Sequence, residues 1–135
     1  MFSEDFINRH QKAVVGFARG IAKATLFALT NPQAAVRIHA KIYPQYKSKA
    51  SDEATAMRYD LNIFNRRALA LRLESPDLLW GSYDPRKWEI FQEFLLKEGS
   101  LKKKLRIDEF FDDRFIKPAN DFDREAVIKA ARAAN

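Results

Sequence analysis

The sequence predicts an all-α domain, a helical bundle of about six or seven helices, on three observations. Apolar residues recur at three- and four-residue steps along most of the chain, and no stretch alternates apolar and polar residues as a half-buried strand does. Twice an Asn or Asp precedes a Pro at the start of an amphipathic run, the signature of a capped helix opening. At 135 residues, with 47% hydrophobic and 13% aromatic residues, eleven of them Phe, the composition is that of one packed domain spanning residues 1–135.

The first helix is expected to follow Ser3, with Glu4 and Asp5 in its first turn, where the helix dipole favours negative charge. A longer apolar helix comes next and stops at Thr30. At 100° per residue Lys12, Gly16, Arg19, Lys23 and Thr30 fall in a narrow range, and Val14, Val15, Phe17, Ile21, Leu26 and Leu29 spread around the rest. That pattern predicts a thin charged stripe facing solvent and near-complete enclosure elsewhere. Within the helix Gly16, Gly20, Ala24 and Ala28 form a ridge of small side chains, read first as ordinary core packing and second as a tight docking surface.

Asn31 is then expected to cap a helix that has Pro32 at its first position and runs to about Tyr43, before Pro44. The segment Pro44–Ser51 reads as a connection. Ser51, Asp52 and Glu53 open a long helix in which Ala54, Met57, Leu61, Phe64, Ala68 and Leu71 repeat on one side. A loop from Glu74 to Pro85 follows, where Trp80 and Tyr83 are expected to anchor the loop to the core or, alternatively, to line a ligand site. Asp84 and Pro85 open a helix carrying Trp88, Phe91 and Leu95 on one face and ending before Gly99. Asp108 is expected to cap a short helix with Phe110, Phe111 and Phe115, and Asp123 a terminal one through Ala126, Val127 and Ala130.

Charge and composition restrict function further. The net charge of +6 resides wholly in residues 1–50, which hold eight Lys or Arg against two acids, while residues 51–135 hold sixteen of each. Six of those cations, Arg9, Lys12, Arg19, Lys23, Arg37 and Lys41, are scattered through helical sequence. The one dense run, Lys102-Lys103-Lys104 with Arg106, lies in the neutral part and reads as a solvated connection, with nucleic-acid contact as the alternative. The absence of Cys excludes disulfides, thiolate metal sites and cysteine nucleophiles. Arg19 and Lys23 inside the apolar window Ala13–Leu29 argue against a membrane span, each costing several kcal/mol in hydrocarbon. MFSEDFINRH lacks the basic flank, apolar run and small-residue cleavage site of a secretory signal, so export of the chain as written is not expected and its compartment is cytoplasmic or open.

No catalytic constellation emerges. His10 and His39 have no ligand spacing with any partner. Asp121, Asp123 and Glu125 begin like a calcium loop, but Ala126 stands where glycine is required and Arg132 where an acid is. Asp108, Glu109, Asp112 and Asp113 read as an acidic helix start. Neither a phosphate-binding glycine loop nor a nucleophile elbow is present. The expectation is a non-enzyme with no cofactor, no catalytic residue and no metal ligand.

The stretch FINRHQKAVVGFARGIAKATLFALTNPQAAVRIH resembles the C-terminal region of ABC-transporter substrate-binding proteins of the nitrate/sulfonate/taurine and thiamine-precursor type. In that family a long helix ends at Asn-Pro and a second helix follows. Trp88, Phe91, Gly99, Ile107-Asp108 and Asn120-Asp121-Phe122-Asp123 resemble its closing helices, so the likeness runs over nearly the whole chain from Phe6. Gln11 stands where members often have proline, which would let the first two helices fuse.

The resemblance implies the C-terminal helical part of a type II periplasmic-binding-protein fold, a two-lobed clamp in which solute sits between lobes that close about a hinge. It implies a periplasmic location, a small-molecule solute and an ABC permease as partners of the parent proteins. The α/β lobes are not encoded here, so no ligand-binding residue carries over. Helices that cover a sheet expose apolar surface without it, and a homodimer or higher oligomer is expected. The alternative is a small helical adaptor, or a nucleic-acid-binding module that uses the basic first third.

Overall fold

The computed structural model describes residues 2–75 and 77–134. Seven α-helices and two short 3-10 turns account for the regular structure of these residues, and no strand occurs among them. The all-α class and the number of helices are as the sequence predicts.

Local chemistry sets most boundaries. Helix α1 (Glu4–Arg9) is capped by Ser3, whose hydroxyl accepts from the Phe6 N–H at 3.3 Å. His10 leaves helical geometry (φ −129°, ψ 38°), so α1 and α2 (Gln11–Thr30) remain separate and do not fuse at Gln11. Asn31 ends α2 and caps α3 (Pro32–Ile42), its side chain accepting from the Ala34 N–H at 3.0 Å. A 3-10 turn at Pro44–Tyr46 starts the expected connection.

Helix α4 (Glu53–Leu71) is capped by Asp52, one residue after the predicted Ser51, its carboxylate accepting the Thr55 N–H at 2.8 Å. Helix α5 (Pro85–Lys97) is capped by Asp84 and is followed, after Glu98, by Gly99, whose φ of +75° is the left-handed value that glycine adopts without strain. Pro76, inside the expected loop from Glu74 to Pro85, lies outside the described residues.

Asp108 does not cap a helix. It sits inside a 3-10 turn, Ile107–Glu109, in which the Glu109 carboxylate accepts the Arg106 N–H at 3.0 Å and Asp108 pairs with the Arg106 guanidinium. With its carboxylate turned back to Arg106, Asp108 cannot reach the next turn, and Phe110 (φ −139°, ψ −4°) and Phe111 close the 3-10 turn with their N–H groups on the Ile107 carbonyl. Phe115 precedes a one-turn α6 (Ile116–Ala119), and Asp123 caps α7 (Arg124–Ala133) through the Ala126 N–H at 2.9 Å.

Helix α2 is the hub, packing against α7, α6, α3 and α1, while α4 packs on α3. The buried residues are small: Ala22, Ala34, Ala56, Ala68, Ala119 and Ala131 with Val14, Leu26, Val36 and Val127. Alanines let backbones approach closely but bury little area each, so the helices form an open layer. Helix α5 makes no comparably extensive contact with the other helices and is held by the chain after it. There the buried Gln92 accepts the Leu105 N–H at 2.7 Å, and Trp88 meets Phe110 at 5.3 Å between ring centroids. Phe91, expected on the inner face with Trp88 and Leu95, is exposed, and Gln92 takes the buried position.

The open arrangement is measurable. The accessible surface is 10567 Å², whereas a compact protein of 15.7 kDa exposes about 7,300 Å².

Two caps titrate in acid. Backbone and side-chain hydrogen bonds from Thr55 hold the Asp52 carboxyl below its ordinary value, and the Arg86 side chain and N–H do the same for Asp84. Both groups stabilise the fold fully above the unfolded aspartate value of about 3.9 and lose that contribution as pH falls through their lower folded-state values. Circular dichroism should therefore show helix loss beginning below about pH 3.9, and Asp52→Asn, which keeps an acceptor but cannot titrate, should reduce that acid dependence.

A second prediction rests on Asn31. Besides capping α3, its amide donates to the carbonyls of Ala131 at 2.9 Å and Ala134 at 3.0 Å, fastening the end of α7. Asn31→Ala removes all three bonds and should cost about 2 kcal/mol in urea denaturation.

Candidate functional site

Two regions of α2 have features that packing alone does not explain. The first is its outward arc. Val14, Ala22 and Leu26 are buried, but Phe17 and Ile21 are 58% and 54% exposed, and Gly16, Gly20 and Ala24 are also in the open. The narrow charged stripe predicted to be the solvent side is instead part of an arc of about half the circumference, most of it apolar. The small-residue ridge is not core packing either, since a Cβ built at Gly16 or Gly20 would meet nothing within 4 Å.

Helix α1 extends this surface with aromatic rings. Phe2 stacks on Phe6 at 5.2 Å and meets the edge of Phe17 at 5.4 Å. His10 lies against Phe6 with ring centroids 4.7 Å apart, and His39 against Tyr43 at 5.3 Å, so both histidines serve as aromatic neighbours. Among the described residues α2 is the one helix long and apolar enough to cross a membrane, and 11% of its apolar window is buried.

The second region is a cleft of about 440 Å³ between α2 and the start of α6, lined by Lys12, Gly16, Arg19, Arg114, Phe115 and Pro118 among others. Arg19, predicted to point into solvent, is half-buried, and its Nη2 donates to the Pro118 carbonyl at 2.8 Å. Its Nε is buried and has no hydrogen-bond partner. The opposite wall carries Arg114, held by both oxygens of Asp112, which keep its pKa above the ordinary arginine value and are themselves held low by it.

The remaining sequence candidates have structural duties. Trp80 is an anchor. Its N–H donates to the Asn120 Oδ1 at 3.0 Å, its indole N–H to the Leu71 carbonyl at 3.2 Å, and the Arg124 guanidinium lies 4.9 Å from its ring centroid. Tyr83 packs on Phe111 at 4.0 Å. Both also line an open groove of about 810 Å³ with Trp88 and Phe91. Lys104 pairs with Glu93 at 3.1 Å and Arg106 with Asp108, so half of the Lys102–Arg106 run is neutralised. No group of three or more His, Asp or Glu suited to a metal ion occurs among the described residues.

Sequence reasoning missed the Arg19–Arg114 cleft and the Asn120 clamp, which join residues far apart in the chain. Asn120 Nδ2 donates to the Trp80 carbonyl at 2.9 Å and to the Ile116 carbonyl at 2.8 Å. In the sequence Asn120 reads only as the start of Asn120-Asp121-Phe122-Asp123, which gives no sign of a distant partner. Compared with protein-family models, curated proteins and solved structures, the chain matches none.

Proposed function

We propose that this chain is the C-terminal helical part of an ABC-importer solute-binding protein of the nitrate/sulfonate/taurine and thiamine-precursor kind. In this reading it has no catalysis and does not bind the transported solute alone. The observation that carries the reading is the bare apolar arc of α2, continued by Phe2 and Phe6, on a chain whose surface is larger than its mass warrants. Such an open helical layer suits a cover for the sheet of a larger clamp. The order of its elements supports the same reading: a long helix closed by Asn31-Pro32, a second helix, and a terminal helix opened by Asn120-Asp121-Phe122-Asp123.

Standing alone, the layer would lower its exposed apolar area by self-association, and we propose a homodimer formed through the α2 arc. The location follows from the parent: the assembled protein would work in the periplasm beside a permease.

The decisive experiment is to read the genomic DNA immediately upstream of the Met1 codon. Strand–helix repeats encoding two α/β lobes, in frame or after a frameshift, are the expected result. Unrelated sequence there would overturn the proposal and favour an adaptor or nucleic-acid module, whose affinity for DNA or RNA would fall steeply with salt.

A further inference from the structure

We propose that the cleft between α2 and α6 is a binding site for a small phosphate-type oxyanion, held by Lys12 and Arg19 with Arg114 on the facing wall. This goes beyond the proposed function and does not depend on it.

The argument begins with charge. Three cationic side chains line the cleft and no acidic side chain does. Arg114 already has its counter-ion in Asp112, and Glu4 contributes a weaker field from α1. Among the described residues, neither Lys12 nor Arg19 forms an ion pair. Lys12 and Arg19 are seven residues apart, two turns of one helix, and so present their charges on the same side of α2.

Hydrogen bonding adds a second argument. The Pro118 carbonyl fixes the Arg19 guanidinium at 2.8 Å but satisfies one nitrogen only, and Nε–H is left buried without an acceptor. A buried donor without a partner is costly, and a charged one more so. An oxyanion in the cleft places negative charge beside the guanidinium and offers acceptor oxygens to its Nη groups, while the Nε–H, sealed from solvent, feels that charge without bonding the ion. The cleft volume of about 440 Å³ admits inorganic phosphate or a small phosphomonoester. Gly16 leaves the floor open, because no side chain there occupies the space.

Titration of the full chain with sodium phosphate tests this, against sodium chloride at matched ionic strength, by two-dimensional 1H–15N NMR including the arginine Nε–H signals. The expected result is a saturable shift of the Arg19 Nε–H and of the Gly16 amide in phosphate and not in chloride. Arg19→Gln and Lys12→Gln should each raise Kd at least tenfold. Since Arg19→Gln also removes the Pro118 contact, Gly16→Met serves as a second variant: it removes no charge and favours helix, yet fills the cleft, and should weaken binding as strongly. Equal shifts in chloride, or phosphate binding unchanged in Gly16→Met, would overturn the site. Binding to phosphatidylglycerol vesicles or duplex DNA without saturable binding of free phosphate would overturn the small-ion reading and assign the cations to a lipid or nucleic-acid surface.

Discussion

An Asn120→Ala variant should lose about 3 kcal/mol of stability, the largest effect expected from one side-chain truncation in this chain. Asn120 satisfies three backbone groups at once: the N–H and the carbonyl of Trp80 and the carbonyl of Ile116. Truncation leaves the N–H and the carbonyl of Trp80 half-buried and without a partner, while the Ile116 carbonyl keeps only the Asn120 N–H at 3.1 Å. It also releases the hinge by which the loop before α5 is fastened to the turn between α6 and α7. Urea denaturation followed at 222 nm gives the loss directly. Asn120→Asp is the control: it keeps the acceptor for the Trp80 N–H but sets a negative charge against two carbonyls, and should be no more stable than Asn120→Ala. A variant as stable as the parent would mean that water replaces the clamp.

Replacing both Phe17 and Ile21 by Glu should convert the dimer proposed above into a monomer and raise the dissociation constant at least a hundredfold. The two side chains are more than half exposed, and their burial in an interface contributes about 25 cal/mol per Å² of apolar area. Two carboxylates per protomer brought together at a twofold axis would add repulsion to that loss. Because both positions face outward, helix content should change little, which separates loss of association from loss of folding. Light scattering at micromolar concentration should give about 31 kDa for the parent, twice the 15.7 kDa chain, and half of that for the variant. A monomeric parent would remove the basis for the α2 interface.

What could be read from the sequence was the chemistry that acts within a few residues. Ser3, Asn31, Asp84 and Asp123 cap helices where a side-chain oxygen followed by a helical run predicted them. Asp108 had the same local appearance and failed, because Arg106 two residues earlier captured its carboxylate. The facing of α2 was beyond local reasoning. Its apolar residues surround the axis, so periodicity gives no single inner side, and the choice is made by α6 and α7 about a hundred residues away. For the same reason Arg19 reads as a solvent charge until the Pro118 carbonyl is known to meet it.

The dependence of α2 on the last two helices has a consequence for biosynthesis. At about 5–20 residues per second, the ribosome takes on the order of 5–20 s to add the hundred residues between Asn31 and the Ala131 carbonyl it binds. Throughout that interval the nascent polypeptide carries a twenty-residue oily rod with its inner side uncovered as well as its outer one. Trigger-factor-like holdases should engage it then, and transcripts cut short before α7 should yield insoluble product rather than a smaller folded species.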